Sequence, residues 1–253
     1  MTYCVAIKVN SGIVFCSDSL TSAGVDHVSS YSKMHSFNVP DDRHITILSA
    51  GNLATTQAVL AQVEADIKNA AKVNLHNVTS LRDAAGYVGE LSNKEQKKHN
   101  DDEAKYESTF IIGGQIGHNS PHQILLIYPQ GNYISTSQDT PFLQIGESKY
   151  GKPILDRVLT PQTSLSTATS AALVSMDSTM KSNLTVGPPI EINIFKANSL
   201  TTPLYNKFEQ DSEYLRKLKN SWDQGIMEAF NKLPPIEWAN QWDQSPDEQN
   251  SIS

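Results

Sequence analysis

Residues 1–19, MTYCVAIKVNSGIVFCSDS, decide the fold. Their polarity alternates from the start. Tyr3, Val5, Ile7 and Val9 fall on one face and Thr2, Cys4, Ala6 and Lys8 on the other, the period of a β-strand. A second run, Ile13, Phe15 and Ser17 against Val14, Cys16 and Asp18, returns after Asn10-Ser11-Gly12. Two registers are open for this hairpin. A three-residue loop, Val9 to Ser11 with Gly12 beside it, sets Thr2 opposite Asp18 and Cys4 opposite Cys16. A two-residue loop slips the pairing by one and separates both pairs. In the first register a hydroxyl near the start of the chain faces a carboxylate, and a functional reading begins there.

Working outward, Thr21 to Asp26 is small and polar and reads as a loop. Met34 to Val39 and His44 to Ala50 read as strands joined at Pro40-Asp41-Asp42. After Ser49-Ala50-Gly51-Asn52 the period becomes helical, with Val59, Val63 and Ile67 recurring to about Ala71. A second helix fits Ser80, as N-cap, to about Lys97, and the charged run Lys94 to Lys105 reads as its solvated end and a loop. Strands are expected at Ser108–Ile116, Gln123–Tyr128, Tyr133–Ser137 and Phe142–Ile145, then helices at Lys149–Leu159 and Thr163 to about Met180. Ile190–Lys196 reads as one further strand.

The order of strands, two helices, strands, two helices and a strand is not the strict alternation of a parallel doubly wound sheet. It fits an α+β fold in which two antiparallel sheets face each other with a helix pair outside each, a four-layer αββα sandwich. Residues 1–202 form one domain in this reading, and 203–253 a helical C-terminal extension with a tail. Tyr205, Phe208, Leu215, Leu218, Trp222, Ile226 and Phe230 make its helix, expected from Leu204 to Phe230, partly amphipathic. That face packs either on its own domain or against another subunit.

The chain has 253 residues, a formal net charge of −7 and only two cysteines. The charge gives a nucleic-acid partner no electrostatic footprint, and two cysteines are too few for a disulfide framework. No apolar run is long enough to span a membrane, and no basic, then apolar leader precedes the first strand. The expected setting is the cytoplasm. There is no Gly-x-Ser-x-Gly elbow, Walker loop or dinucleotide fingerprint. His118 and His122 are separated by Pro121 and make a poor metal pair, so neither a metal nor another cofactor is expected.

Chemistry is carried instead by the second residue. Threonine is small enough for methionine aminopeptidase to remove Met1, which leaves Thr2 as the mature terminus. A terminal threonine holds a hydroxyl nucleophile and an α-amine of pKa roughly 7.7–8.0, a nucleophile and a general base in one residue. A lysine held nearby favours the neutral amine, and a carboxylate beside that lysine keeps it charged and oriented. Asp18 and Lys33 are the candidates. Gly51, with no side chain, can bring its backbone N–H to a substrate carbonyl.

Thr2 at the start of a strand, Asp18 within Ser17-Asp18-Ser19, Lys33, and Ser49-Ala50-Gly51, in that order, resemble the signature of proteasome β-subunits and HslV peptidases. These are N-terminal nucleophile (Ntn) hydrolases of αββα sandwich type. The stretches TYCVAIKVNSGIVFCSDS, AGVDHVSSYSKMHSF and SMDSTMKSNLTVGPPIE are most similar to the Anbu (ancestral β-subunit) branch. The resemblance implies that Thr2 is nucleophile and base, Asp18 and Lys33 the activating pair, and Gly51 the oxyanion donor. It also sets Ser22 where the family hydrogen-bonds the substrate backbone. The family's Gly-Ser-Gly turn reads Gly146-Glu147-Ser148 here, so either Glu147 or Ser148 fills the serine position. Asp177 followed by Ser182 resembles the HslV arrangement. The implied activity is threonine peptidase or amidohydrolase chemistry on a peptide or amide, in a homo-oligomeric ring or open spiral. The alternatives are a non-protein or unusual peptide amide as substrate, or a non-catalytic assembly subunit.

Overall fold

The first hairpin closes with the two-residue loop. In the computed structural model, which describes residues 1–22, 28–98 and 106–236, β1 (Tyr3–Val9) and β2 (Gly12–Asp18) pair antiparallel. Val9 lies opposite Gly12, Cys4 opposite Ser17 and Val5 opposite Cys16. The register with Thr2 opposite Asp18 is therefore not adopted. Asn10 and Ser11 make the turn, and Gly12, at φ 151°, passes so close to the Phe195 carbonyl that a Cβ would not fit. A slip of one residue inverts which face each side chain takes, so Cys4 and Cys16 point to opposite sides of the sheet.

This hairpin is the centre of a five-stranded antiparallel sheet. β10 (Phe142–Gly146) pairs with β1, β11 (Ile190–Lys196) with β2, and β12 (Leu204–Phe208) with β11 at the edge. The second sheet runs β5 (Met34–Ser36), β6 (Arg43–Gly51), β7 (Ser108–Ile116), β8 (Gln123–Ile127) and β9 (Tyr133–Ser135), also antiparallel. Cys4, Ala6, Phe15, Leu48, Ile111, Leu126 and Phe195 from both sheets form one buried cluster between them. The outer face of the second sheet is covered by α1 (Leu53–Lys68) and α2 (Leu81–Lys97), through Val59, Val63, Ala84 and Val88 against Ile45, Phe110 and Ile112. α3 (Ser148–Val158) and α4 (Leu165–Ser182) lie on the first sheet, with Ala168, Ala172, Ser175 and Met176 of α4 buried. The expected αββα sandwich of Ntn-hydrolase type is the architecture observed.

Capping follows the sequence: Asn52 accepts from Thr55 N–H, Ser80 from Asp83 N–H and Ser164 from Thr167 N–H. Two expectations are corrected. The segment expected to be a loop from Thr21 begins instead in β3 (Leu20–Ser22), which pairs with β4 (Val28–Ser30) as a short ribbon. The helix expected from Leu204 begins only at Glu213, as α5 (Glu213–Asn231). Leu204–Phe208 is drawn into the sheet because β11 otherwise leaves a row of backbone groups unpaired. Parts of the expected loop (residues 23–26), residue 27, part of the charged run (99–105) and the tail (237–253) lie outside the described residues. The compact unit holding both sheets extends to Ser212, and Glu213 onward forms a second unit. No residue of α5 is buried.

Candidate active site

β1 starts beside the end of β2, so the peptide joining Thr2 to Tyr3 meets Asp18. The Tyr3 N–H donates to Asp18 Oδ1 at 3.0 Å, and Gly187 N–H approaches Oδ2 at 3.4 Å. Lys33 Nζ donates to the same Oδ1 at 2.8 Å and to the Leu20 carbonyl at 2.7 Å. Asp18 is fully buried and Lys33 is 6% exposed. Burial raises the Asp18 carboxyl above its ordinary value, while Lys33 and the two N–H donors pull it back. The Lys33 carbonyl accepts from Ser49 N–H, which ties this ammonium to β6.

The other side of Thr2 is fixed by the backbone. Glu147 N–H donates to the Thr2 carbonyl at 2.8 Å, and Gly146, at φ 80°, packs so tightly against that carbonyl that a Cβ would overlap it. Only glycine meets both conditions at this position. Tyr3 is fully buried beneath. Its hydroxyl accepts from Gln144 Nε2 at 2.7 Å and shares a hydrogen bond with Ser175 Oγ at 3.0 Å.

A cavity of about 780 Å³ opens over these groups. Thr2, Lys33, Gly51 and Glu147 line it, so four sequence-predicted residues share one wall system. Asp18 sits behind Lys33. Gly51 ends β6 at φ 112°, opposite Ser108, in a position where a Cβ would strike the Glu107 carbonyl. One face of α1 (Leu53, Thr56, Leu60 and Glu64) forms the far wall.

The remaining candidates fall elsewhere. Ser22 closes β3 opposite Val28, whereas Thr21, which the sequence did not single out, lines the cavity. Glu147 is the residue preceding α3 and is buried; Ser148 is the first residue of that helix and does not line the cavity. Asp177 is buried on α4 and Ser182 ends it, and neither reaches the cavity wall. Sequence reasoning placed Gly146 in the family's turn without a role of its own, and it missed Tyr3 and Glu191. The carboxylate of Glu191, 3% exposed, accepts from Ser19, Ser32 and Tyr205 hydroxyls. Of these only Gly146, the glycine after the strand expected at Phe142–Ile145, left a signal in the sequence.

Such an arrangement can hold an amide carbonyl between the Thr2 hydroxyl and a backbone donor, with a buried ammonium alongside. Among the described residues no group of three His, Cys, Asp or Glu side chains is placed to hold a metal ion. No helix among them is long and apolar enough to cross a membrane.

The proteasome subunit family matches residues 2–195. Among solved structures, Anbu (ancestral beta-subunit) from Yersinia bercovieri is 41% identical with a TM-score of 0.87, over 92% of this chain and 98% of its own. A structure described as the helical assembly of the Anbu complex from Pseudomonas aeruginosa is 40% identical with a TM-score of 0.87, over 92% and 97% of the two chains. Anbu from Hyphomicrobium sp. strain MC1 is 37% identical with a TM-score of 0.85, over 92% and 99%. No curated protein matches the chain.

Proposed function

The chain belongs to the proteasome subunit family, in its Anbu (ancestral β-subunit) branch, and from that premise we propose that it is a threonine peptidase whose nucleophile is Thr2. The observation that carries this is the meeting of Thr2, Lys33 and Gly51 on one cavity, with Asp18 locked behind Lys33.

The reaction requires Met1 to be removed, because the Thr2 nitrogen is otherwise an amide. The freed α-amine takes the proton of the Thr2 hydroxyl as Oγ attacks the substrate carbonyl carbon. The negative charge that develops on the carbonyl oxygen is stabilised by the backbone N–H of Gly51. The ammonium of Lys33 lowers the cost of negative charge on Oγ and keeps the neighbouring amine unprotonated. Collapse breaks the C–N bond, and the α-ammonium returns its proton to the leaving nitrogen. An ester remains on Thr2. Water, deprotonated by the same amine, then attacks the ester, releasing the acid and restoring the hydroxyl.

Glu147, at the cavity wall, is the better placed of the two candidates for the family's serine in proton transfer. Asp177 and Ser182 lie on α4, outside the cavity lining. Assembly as a homo-oligomer is supported by the helical assembly described for the Pseudomonas relative, and a cytoplasmic location by the membrane-free reading of the sequence. Of the C-terminal extension expected from residue 203, the part from Glu213 is a unit of its own.

The test begins with intact mass, which should lack methionine. An epoxyketone or lactone electrophile should then label the terminal threonine, and Thr2→Ala should abolish both labelling and peptide turnover. Labelling of Thr2→Ala at the wild-type rate sinks the assignment.

A further inference from the structure

Beside the active-site cavity lies a second one, of about 530 Å³, between the sheet edges formed by β5 and β12. Ser32, His35 and Glu64 line both, so the two are neighbouring compartments of one depression. The second compartment is one-sided in its chemistry. Glu191 presents a buried carboxylate that accepts from three hydroxyls but has no cationic partner among the described residues. Asn193, 2% exposed, donates through Nδ2 to Ser36 Oγ at 3.2 Å, but its Oδ1 has no hydrogen-bond partner among the described residues. Glu64 makes no ion pair among them, and no Lys or Arg side chain lines the compartment. Lys33, the ammonium of the first cavity, is already committed to Asp18 and Leu20.

Buried acceptors are rarely left without donors. The unmet needs here are a donor for Asn193 Oδ1 and positive charge opposite Glu191 and Glu64, and one cationic N–H group meets both. A bare metal ion does not suit the site, since its carboxylates and histidine form no cluster of ligands. A guanidinium carries five donors and an ammonium three, each on an aliphatic stem, and Met34, Phe37 and Pro203 give that stem an apolar lining.

We infer that this compartment is a subsite for the cationic side chain of a bound peptide, an arginine or a lysine, held by Asn193, Glu191 and Glu64. The inference rests on the reading of Thr2 as a peptide-cleaving residue, and it names the substrate class that reading leaves open.

Binding decides it without turnover. Acetylated tripeptide amides carrying arginine at each position in turn are titrated calorimetrically into full-length Thr2→Ala protein. Matched peptides with citrulline, which is isosteric and uncharged, serve as the comparison. At one position arginine should bind at least about tenfold tighter than citrulline, as expected of charge-assisted hydrogen bonds. Asn193→Leu and Glu64→Gln should each reduce that preference. Equal binding of arginine and citrulline at every position overturns the subsite, as does a preference that both variants retain. Glu64 is solvent-exposed, so Glu64→Gln alone settles the matter if Asn193→Leu does not fold. Selective binding without Thr2 labelling of the wild type removes the peptidase reading and keeps the subsite. Labelling without selectivity does the reverse.

Discussion

Lys33 Nζ and Asp18 Oδ1 are 2.8 Å apart with both side chains out of solvent, and the same Oδ1 also accepts the Tyr3 N–H. One oxygen thus joins the end of β2, the start of β1 and the segment leading into β5. Stability and chemistry are coupled at this atom.

The coupling can be separated by a double-mutant cycle. Asp18→Asn and Lys33→Met each leave a buried group without its partner and should cost about 3–5 kcal/mol in urea unfolding. The double variant should recover most of that loss, because neither charge remains. Turnover should stay at least about 100-fold down in all three variants, the scale of lost acid–base assistance. A double variant that regains both stability and turnover would show the pair to be only structural.

Gly146 approaches the Thr2 carbonyl where no Cβ fits, and it does so at φ 80°. Gly146→Ala should therefore destabilise the protein by about 1–3 kcal/mol and lower the rate of Thr2 labelling by more than the lost stability explains. Gly225, within α5, has open space around its Cβ position. Gly225→Ala should raise helix stability by up to about 1 kcal/mol and leave labelling unchanged. Thermal melts read beside labelling rates distinguish the two cases.

Much of this architecture was legible in polarity period alone. The alternation in Tyr3–Val9 and the helical spacing of Val59 and Val63 depend on local sequence, and both elements form as read. Asp18, Lys33 and Gly51 could be proposed because each is an unusual residue in its element: a carboxylate closing a strand, a lysine beside one, and a glycine after one. The hairpin register was not legible. A single-residue slip leaves the alternation intact, and the choice depends on how Gly12 meets Phe195, far away in the chain. β12 was hidden for a similar reason, since LYNKF becomes a strand only where β11 offers an edge. Tyr3 and Glu191 act through hydroxyl partners that sequence separation conceals.

Acid sensitivity should arise in part from His44. Its ring is fully buried, stacked on Phe195 at 4.5 Å, and burial lowers its pKa to about 4 from the usual 6.5. Protonation is therefore favoured in the unfolded chain. This contribution to stability is complete above pH 6.5 and is lost as the pH falls toward 4. Across that window the loss from this residue is about 3 kcal/mol. His44→Leu cannot bind the proton, so its unfolding free energy should fall less steeply between those limits. Parallel slopes for the two proteins would exclude His44 as the source.

Tyr3 offers the sharpest division between holding the fold and placing the nucleophile. Its hydroxyl binds Gln144 on β10 and Ser175 on α4, while its N–H is fixed by Asp18, so the residue following Thr2 is anchored at both ends. Tyr3→Phe keeps the ring and removes only the distal anchor. It should cost about 1–3 kcal/mol, the scale of a buried polar pair broken on one side. Tyr87→Phe is the matched control, because its hydroxyl donates to Asp66 at 2.6 Å across the α1–α2 pair. If Tyr3 positions Thr2, then Tyr3→Phe should lower kcat roughly tenfold with little change in KM, as small misplacements of reacting groups do. Tyr87→Phe should melt earlier and turn over normally. Equal kcat values for the two variants would reduce Tyr3 to a core residue that happens to adjoin the nucleophile.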